Sequence, residues 1–228
     1  MVSFPLPPPP EKLVGFDRVA WLYDALAALV FGSSLQAAQR AALHGLPTGM
    51  PHVLILGGGT GWVLSEVLRR VPAATVLYLE ASPQMLARAR ARLARELPQA
   101  AGQVEFRHGT QAALQPGEQF GAIITFFVLD CISLGDLGAA LAHLRAAQSP
   151  GAPWLVVDFR PARRGWRHWL LRLMYLFFRL TTGLRAQKMP DLRTYLGQVG
   201  LTASPPQLFF GGAIESLIFI ENLPAAQP

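Results

Sequence analysis

Strand-like and helix-like segments alternate along the chain from residue 52 to residue 159. The strand candidates are HVLIL (52–56), TVLYLE (75–80), VEFRH (104–108), FGAIITFFVL (120–129) and APWLVVDF (152–159). Most of them are continuous apolar runs, as expected for strands buried on both faces of a parallel sheet. Helical spacing of apolar residues appears between them at 61–71, 82–97 and 134–148. The alternation predicts a Rossmann-like, doubly wound α/β sheet with right-handed crossovers.

The C-terminal part of the chain changes this pattern. After a short helix candidate at 190–200, two strand candidates, 202–210 and 213–221, are separated only by Gly211 and Gly212. A glycine link this short predicts a hairpin, so the last strand is expected to run antiparallel to its neighbour. We therefore expect a mostly parallel, seven-stranded sheet whose terminal strand is antiparallel.

Composition sets the boundaries of this domain. With 228 residues, 51% of them hydrophobic, the chain can bury one full core. We expect residues 1–45 to form an N-terminal arm and helical lid, and residues 46–228 to form the core. The N-terminus, MVSFPLPPPP, has neither a basic region nor a continuous apolar region typical of a signal peptide, so a cytoplasmic protein is expected. The single cysteine, Cys131, excludes an internal disulfide and a multi-cysteine zinc site.

A glycine-rich turn follows the first predicted strand. Its spacing is GxGxG, with Gly57, Gly59 and Gly61. At this point of a doubly wound sheet, such a turn typically binds a nucleotide-like ligand. A dinucleotide fingerprint would require glycine where Trp62 stands, which disfavours a nicotinamide-dependent oxidoreductase, and no GK[ST] follows, which excludes a P-loop.

Two segments resemble the motifs of class I S-adenosylmethionine-dependent methyltransferases: VLILGGGTG (53–61) and YLEASPQMLARAR (78–90). The resemblance implies that Glu80 binds the two ribose hydroxyls of the cofactor, since a carboxylate can accept from both. FDRVAWLYD (16–24) and DFRP (158–161) are similar to segments of the ubiquinone/menaquinone C-methyltransferase-like group. In that group the first of these segments helps to close the site.

The resemblance also implies the composition of the S-adenosylmethionine site. The implied cofactor-binding residues are Gly57, Gly58, Gly59, Thr60, Gly61, Glu80, Ala81, Met85, Thr110, Gln111 and Phe126. Met85 is equally compatible with a place in the core. Three positions depart from the family pattern: Ile55 and Thr110 stand where it has acids, and Gly121 replaces an aspartate. Thr110 or Gln111 is expected to supply a neutral acceptor for the adenine amino group. A non-catalytic S-adenosylmethionine-binding protein with a degenerate site is therefore the alternative.

Methyl transfer from a sulfonium is an in-line displacement that proximity and alignment can drive, so the chemistry requires no strongly placed catalytic residue. A general base helps where the acceptor must lose a proton. The candidates are Asp130, after the fourth predicted strand, and Tyr23 or Asp24 in the N-terminal segment. Asp130 could instead cap the helix that follows, and Tyr23 could pack under the lid. No pair of histidines has metal-ligand spacing, so no metal is expected.

The segment 165–182 is the part of the sequence that indicates the class of the methyl acceptor. It places Arg172, Tyr175 and Arg179 on one helical face beside a broad apolar surface. This pattern fits peripheral contact with the inner membrane face, or a helix packed on the sheet with its arginines in solvent. A helix that roofs the site in this way favours a small hydrophobic acceptor, quinone-like or lipid-like. A nucleic-acid acceptor is the alternative, disfavoured because the arginines alternate with large aliphatic residues.

Overall fold

The computed structural model describes residues 31–160 and 191–221. The predictions for Tyr23, Asp24 and the helix 165–182 lie outside these residues. The strands are β1 His52–Leu56, β2 Thr75–Glu80, β3 Val104–His108, β4 Ala122–Phe126, β5 Trp154–Phe159, β6 Leu201–Ala203, β7 Gln207–Phe209 and β8 Ile214–Glu221. The helices are α1 Ser34–Leu43, α2 Trp62–Arg70, α3 Pro83–Glu96, α4 Leu134–Ala146 and α5 Leu192–Gln198.

The strands form one sheet in the order β3-β2-β1-β4-β5-β8, with β6 and β7 both paired to β8. Strands β1 to β5 are parallel, whereas β8 is antiparallel to β5. The predicted fold class and the antiparallel terminal strand are thus confirmed. Because β1 lies between β2 and β4, the strand order reverses at β1, and the carboxyl ends of β1 and β4 form the crevice in which ligands of such sheets bind.

The sheet contains eight strands where seven were expected, because the edge strand is interrupted. Strand β6 pairs with β8 at Leu201↔Glu221, and β7 pairs with it at Gln207↔Ser216. Between them stand Pro205 and Pro206, which have no N–H to donate to the ladder. The two segments occupy successive stretches of one β8 edge, so the sheet is still seven positions wide.

Helices cover both faces of the sheet. Helices α1, α2 and α3 bury their apolar residues in the core on one face, and α4 and α5 bury theirs on the other. Helix α3 begins where predicted, since Ser82 accepts the N–H of Met85 and Pro83 occupies the first turn. Among the described residues, no helix combines the length and the apolar character that crossing a bilayer would need.

Candidate functional site

The glycine turn connects β1 to α2 at the point where the strand order reverses. Gly57, Gly59 and Gly61 have φ angles of +65°, +62° and +87°. These left-handed conformations are strained for residues with a Cβ, which explains the GxGxG spacing. The Gly57 N–H donates to the Leu79 carbonyl at 2.8 Å, so the turn begins anchored to β2. The remaining backbone of the turn passes over the carboxyl end of the sheet.

Tyr78 supports this turn from below, and sequence reasoning missed it. Its side chain is fully buried, and its hydroxyl donates to the Gly59 carbonyl at 2.9 Å. A Cβ at Gly58 would lie 2.5 Å from the Tyr78 ring and hydroxyl oxygen, so only glycine fits there. The available signal was a tyrosine inside an otherwise aliphatic strand, because a buried tyrosine hydroxyl usually finds a hydrogen-bond partner.

Glu80, at the end of β2, joins the turn to the next loop. It is 8% exposed, and its Oε2 accepts the Gly59 N–H at 2.9 Å while its Oε1 accepts the Ser82 N–H at 2.9 Å. Burial raises the pKa of Glu80 above its usual value, although the backbone N–H bonds from Ser82 and Gly59 oppose this. A carboxylate oxygen can accept two hydrogen bonds, so each oxygen keeps capacity for a ligand hydroxyl.

The loop after β3 lies beside Glu80. Strand pairing places His108 opposite Glu80, and His108 Nε2 lies 2.9 Å from the Ala81 carbonyl oxygen. Thr110 follows immediately, and its hydroxyl accepts the Ala112 N–H at 3.4 Å, which caps a short 3-10 turn that begins at Gln111. The structure therefore brings Ala81, Thr110 and Gln111 to the same sheet edge as Glu80.

The end of β4 carries a strained residue that the sequence did not indicate. Phe126 is buried, and the following Phe127 has φ +53°. Its N–H donates to the Val157 carbonyl at 2.8 Å, which fixes this conformation. Non-glycine residues at positive φ are costly and occur preferentially at functional sites.

Phe127 belongs to an aromatic cluster of four rings, which we define as Phe31, Phe127, Phe159 and Phe210. Ring centroids of successive members, from Phe127 through Phe159 and Phe31 to Phe210, are 5.0, 5.3 and 5.0 Å apart. Phe210 also has a positive φ, +47°. Phe31 and Phe159 are buried in the core, whereas Phe127 and Phe210 are partly exposed, and the cluster lies at the carboxyl ends of β4 and β5.

The other predicted residues occupy more ordinary places. Met85 is buried in the first turn of α3. Asp130 lies in the 3-10 turn Leu129–Cys131, but Ser133 caps α4, so the interpretation of Asp130 as a helix cap is wrong. Ile55, which departs from the family pattern, is fully buried in the core. Gly121 precedes β4 and donates its N–H to the His52 carbonyl at 2.8 Å.

Removing the Tyr78 hydroxyl should loosen the turn. We expect Tyr78→Phe to lower the free energy of unfolding by about 1 kcal/mol, the usual contribution of one hydrogen bond. Chemical denaturation measures this, with Tyr195→Phe in α5, on the other face of the sheet, as the control. Equal stabilities of Tyr78→Phe and the wild type would contradict the support assigned to this hydroxyl.

Comparison with known proteins agrees with this geometry. Residues 54–153 match a family model described as a methyltransferase domain. The demethylmenaquinone methyltransferase of Thermus thermophilus is 31% identical over 153 residues, which cover 66% of the chain and 66% of the relative. The chain thus spans slightly less than two thirds of the length of this curated relative.

Solved structures of other methyltransferases share the fold. An O-methyltransferase family protein from Burkholderia thailandensis has a TM-score of 0.70 at 17% identity and covers 92% of this chain and 61% of its own. The N-methyltransferase NodS from Bradyrhizobium japonicum, in complex with S-adenosylhomocysteine, has a TM-score of 0.61 at 15% identity. The match covers 83% of this chain and 86% of the NodS chain. Together with the family model and the curated relative, this likeness shows that the chain carries a methyltransferase domain with the fold of the class I S-adenosylmethionine-dependent methyltransferases.

Proposed function

We propose that the protein transfers the methyl group of S-adenosylmethionine to a small, hydrophobic, quinone-like acceptor. The observation that carries the acceptor class is the aromatic cluster beside the glycine turn. The name of the 31% identical relative, a demethylmenaquinone methyltransferase, supports the same class.

The residues present fit the cofactor. A Cβ built on Gly59 would meet nothing within 4 Å, so the middle of the turn faces open space, in which a ligand can approach the backbone. Glu80 lies beside this space with acceptor capacity for two hydroxyls. When bound, S-adenosylmethionine supplies a methyl group attached to a positively charged sulfur. After the transfer, this sulfur is part of a neutral thioether. Glu80 would hold the ribose, and the backbone of the glycine turn would lie against the cofactor.

The cofactor turn and the aromatic cluster are neighbours. A Cβ at Gly57 would lie 2.5 Å from Val128 Cγ2, and Val128 directly follows Phe127. An acceptor ring that packs on Phe127 would thus lie next to the cofactor. Aromatic rings pack favourably in offset or edge-on contacts. Holding both reactants in line supplies much of the rate enhancement of such a displacement.

The test of this proposal uses radiolabelled S-adenosylmethionine and a 1,4-naphthohydroquinone with a short alkyl chain. We expect the wild type to methylate this probe and Phe127→Ala to lower kcat/KM at least about tenfold, because burial of a large apolar group contributes roughly 1.5–3 kcal/mol. Phe127→Tyr keeps the ring and should retain most of the activity. The calorimetric Kd for S-adenosylhomocysteine should be the same in all three proteins.

Each failure has a distinct reading. Cofactor binding without transfer to the probe would contradict the acceptor class and favour the non-catalytic alternative. The observation that supports this alternative is Thr110, which stands in place of an acid. Absence of cofactor binding would contradict the proposed function as a whole.

A further inference from the structure

Asp158, at the carboxyl end of β5, is a buried acid without a complete set of partners. It is 1% exposed, and its Oδ1 accepts the Phe159 N–H at 2.8 Å. Its Oδ2 makes no hydrogen bond within the part of the chain that the structure describes. Buried polar atoms are nearly always paired, so an orphaned carboxylate oxygen indicates a group that a ligand completes.

The charges around Asp158 are mainly negative. Asp130, in the turn after β4, donates its backbone N–H to the Asp158 carboxyl and carries a carboxyl of its own, from which the Cys131 Sγ lies 3.5 Å away. Glu215 is the register partner of Asp158 on β8. Arg160 and Arg193 lie 3.5 and 3.4 Å from Glu215 Oε2, and no ion pair among the described residues includes Asp158.

This environment disfavours the ionised form of Asp158. Burial first, and then the charge of Asp130, raise the pKa of Asp158 well above the usual range of an aspartate. A carboxyl group tuned upward in this way can gain and lose a proton nearer to neutral pH, which is the property that a general base needs.

Asp158 is connected to the cofactor turn through the loop that follows β4. Phe159, the next residue, belongs to the aromatic cluster. Asp130 follows Val128 by two residues, and Val128 is the residue that a Cβ on Gly57 would meet. Because side chains alternate across a strand, the Asp158 carboxyl points to the face opposite Phe159, toward the turn after β4 in which Val128 adjoins the cofactor turn.

We propose that Asp158 is the proton acceptor of the methyl transfer and that Asp130 is its positioning residue. This inference rests on the proposed function. An acidic hydroxyl of the acceptor gives its proton to Oδ2 of ionised Asp158. The electron pair freed on the acceptor forms the bond to the methyl carbon, while the C–S bond breaks and its pair stays on sulfur. If a ring carbon of the acceptor attacks the methyl group, that carbon loses its proton after methylation. This proton returns to the acceptor oxygen and restores the hydroxyl. Asp158 then releases its proton to solvent.

The test combines turnover with stability. We expect Asp158→Asn to lower methyl transfer to the naphthohydroquinone probe by about 100-fold, within the usual range for a general base, with the Kd for S-adenosylhomocysteine changed less than twofold. The variant should also raise Tm at pH 8, because it removes a charge that the fold disfavours. At pH 5 the gain should shrink, because a raised pKa favours protonation of Asp158 in the wild type as pH falls, which removes the same charge. A residue with a merely structural role would lower Tm instead.

The pH profile tests the role of Asp130. Activity requires ionised Asp158, so kcat/KM should fall with decreasing pH through a raised pKa. Asp130→Asn removes the repelling charge and should move this acidic limb to lower pH.

An unchanged rate in Asp158→Asn, or a lower Tm at both pH values, would overturn the assignment. A wild type that binds S-adenosylhomocysteine but leaves the probe unmethylated would overturn it together with the acceptor class. Failure of the wild type to bind S-adenosylhomocysteine would overturn the proposed function itself, and the calorimetry separates this case from the others.

Discussion

Replacing Glu80 with alanine is expected to weaken binding of S-adenosylhomocysteine by about 1,000-fold. Hydrogen bonds to a charged group contribute about 1.5–3 kcal/mol each, and the proposed site uses two from the ribose. Glu80 also accepts the Gly59 and Ser82 N–H groups, so its loss releases the turn that approaches the cofactor. Calorimetric titration of the wild type and Glu80→Ala measures the difference.

Two further variants sharpen this experiment. Glu80→Gln keeps the shape but not the charge, and should lose less affinity than the alanine variant. Glu105→Gln, at an exposed carboxylate of the neighbouring strand β3, should bind as the wild type does. Equal affinity in Glu80→Ala and the wild type would remove Glu80 from the cofactor site.

The pKa of Glu80 adds a pH dependence to the same measurement. The hydroxyls of the ribose donate to the ionised carboxylate, and burial raises the pKa of Glu80 in the free protein. Protonation therefore competes with the cofactor as pH falls. As pH is lowered, we expect the loss of affinity to begin at a pH higher than about 4.3, the ordinary pKa of glutamate. Glu80→Gln should lack this pH dependence.

The periodicity of the sequence was sufficient to predict the parallel part of the sheet. Strands β1 and β2 coincide with the apolar segments that predicted them, because a strand buried on both faces leaves a continuous pattern. The edge was harder to predict. Pro205 and Pro206 interrupt one predicted strand, and the Ser204 hydroxyl accepts the Ile218 N–H at 3.1 Å in place of a strand partner.

The cofactor turn could be predicted because its glycines are a local requirement of the backbone. The roles of Tyr78, Phe127 and Asp158 could not, because each depends on a partner that is distant in sequence. Tyr78 needs Gly59, the conformation of Phe127 is held by Val157, and the environment of Asp158 depends on Asp130. Alternation of apolar residues carries no information about such pairs.

Two glycines of the turn should separate folding from cofactor binding. Gly61→Ala is expected to lower the free energy of unfolding by about 3 kcal/mol. A left-handed φ costs an alanine about 1–2 kcal/mol, and overpacking costs about 1–3 kcal/mol more. The overpacking arises because the new Cβ would lie 2.8 Å from the Ala89 Cα, a backbone atom of α3 that cannot rotate away. Chemical denaturation provides the measurement.

Gly59→Ala is the matched control, since its φ of +62° is also left-handed but its Cβ would meet nothing within 4 Å. The free energy of unfolding of Gly59→Ala should fall only by the conformational cost of the left-handed φ, about 1–2 kcal/mol. The open space beside Gly59 is the proposed path of the cofactor, so its added methyl group should weaken S-adenosylhomocysteine binding at least about tenfold. If Gly59→Ala proved as unstable as Gly61→Ala and bound the cofactor normally, the turn would act only as a packing element. The expected result, with Gly61→Ala the less stable variant and Gly59→Ala the weaker binder, would assign Gly61 to the contact between the turn and α3, and Gly59 to the ligand.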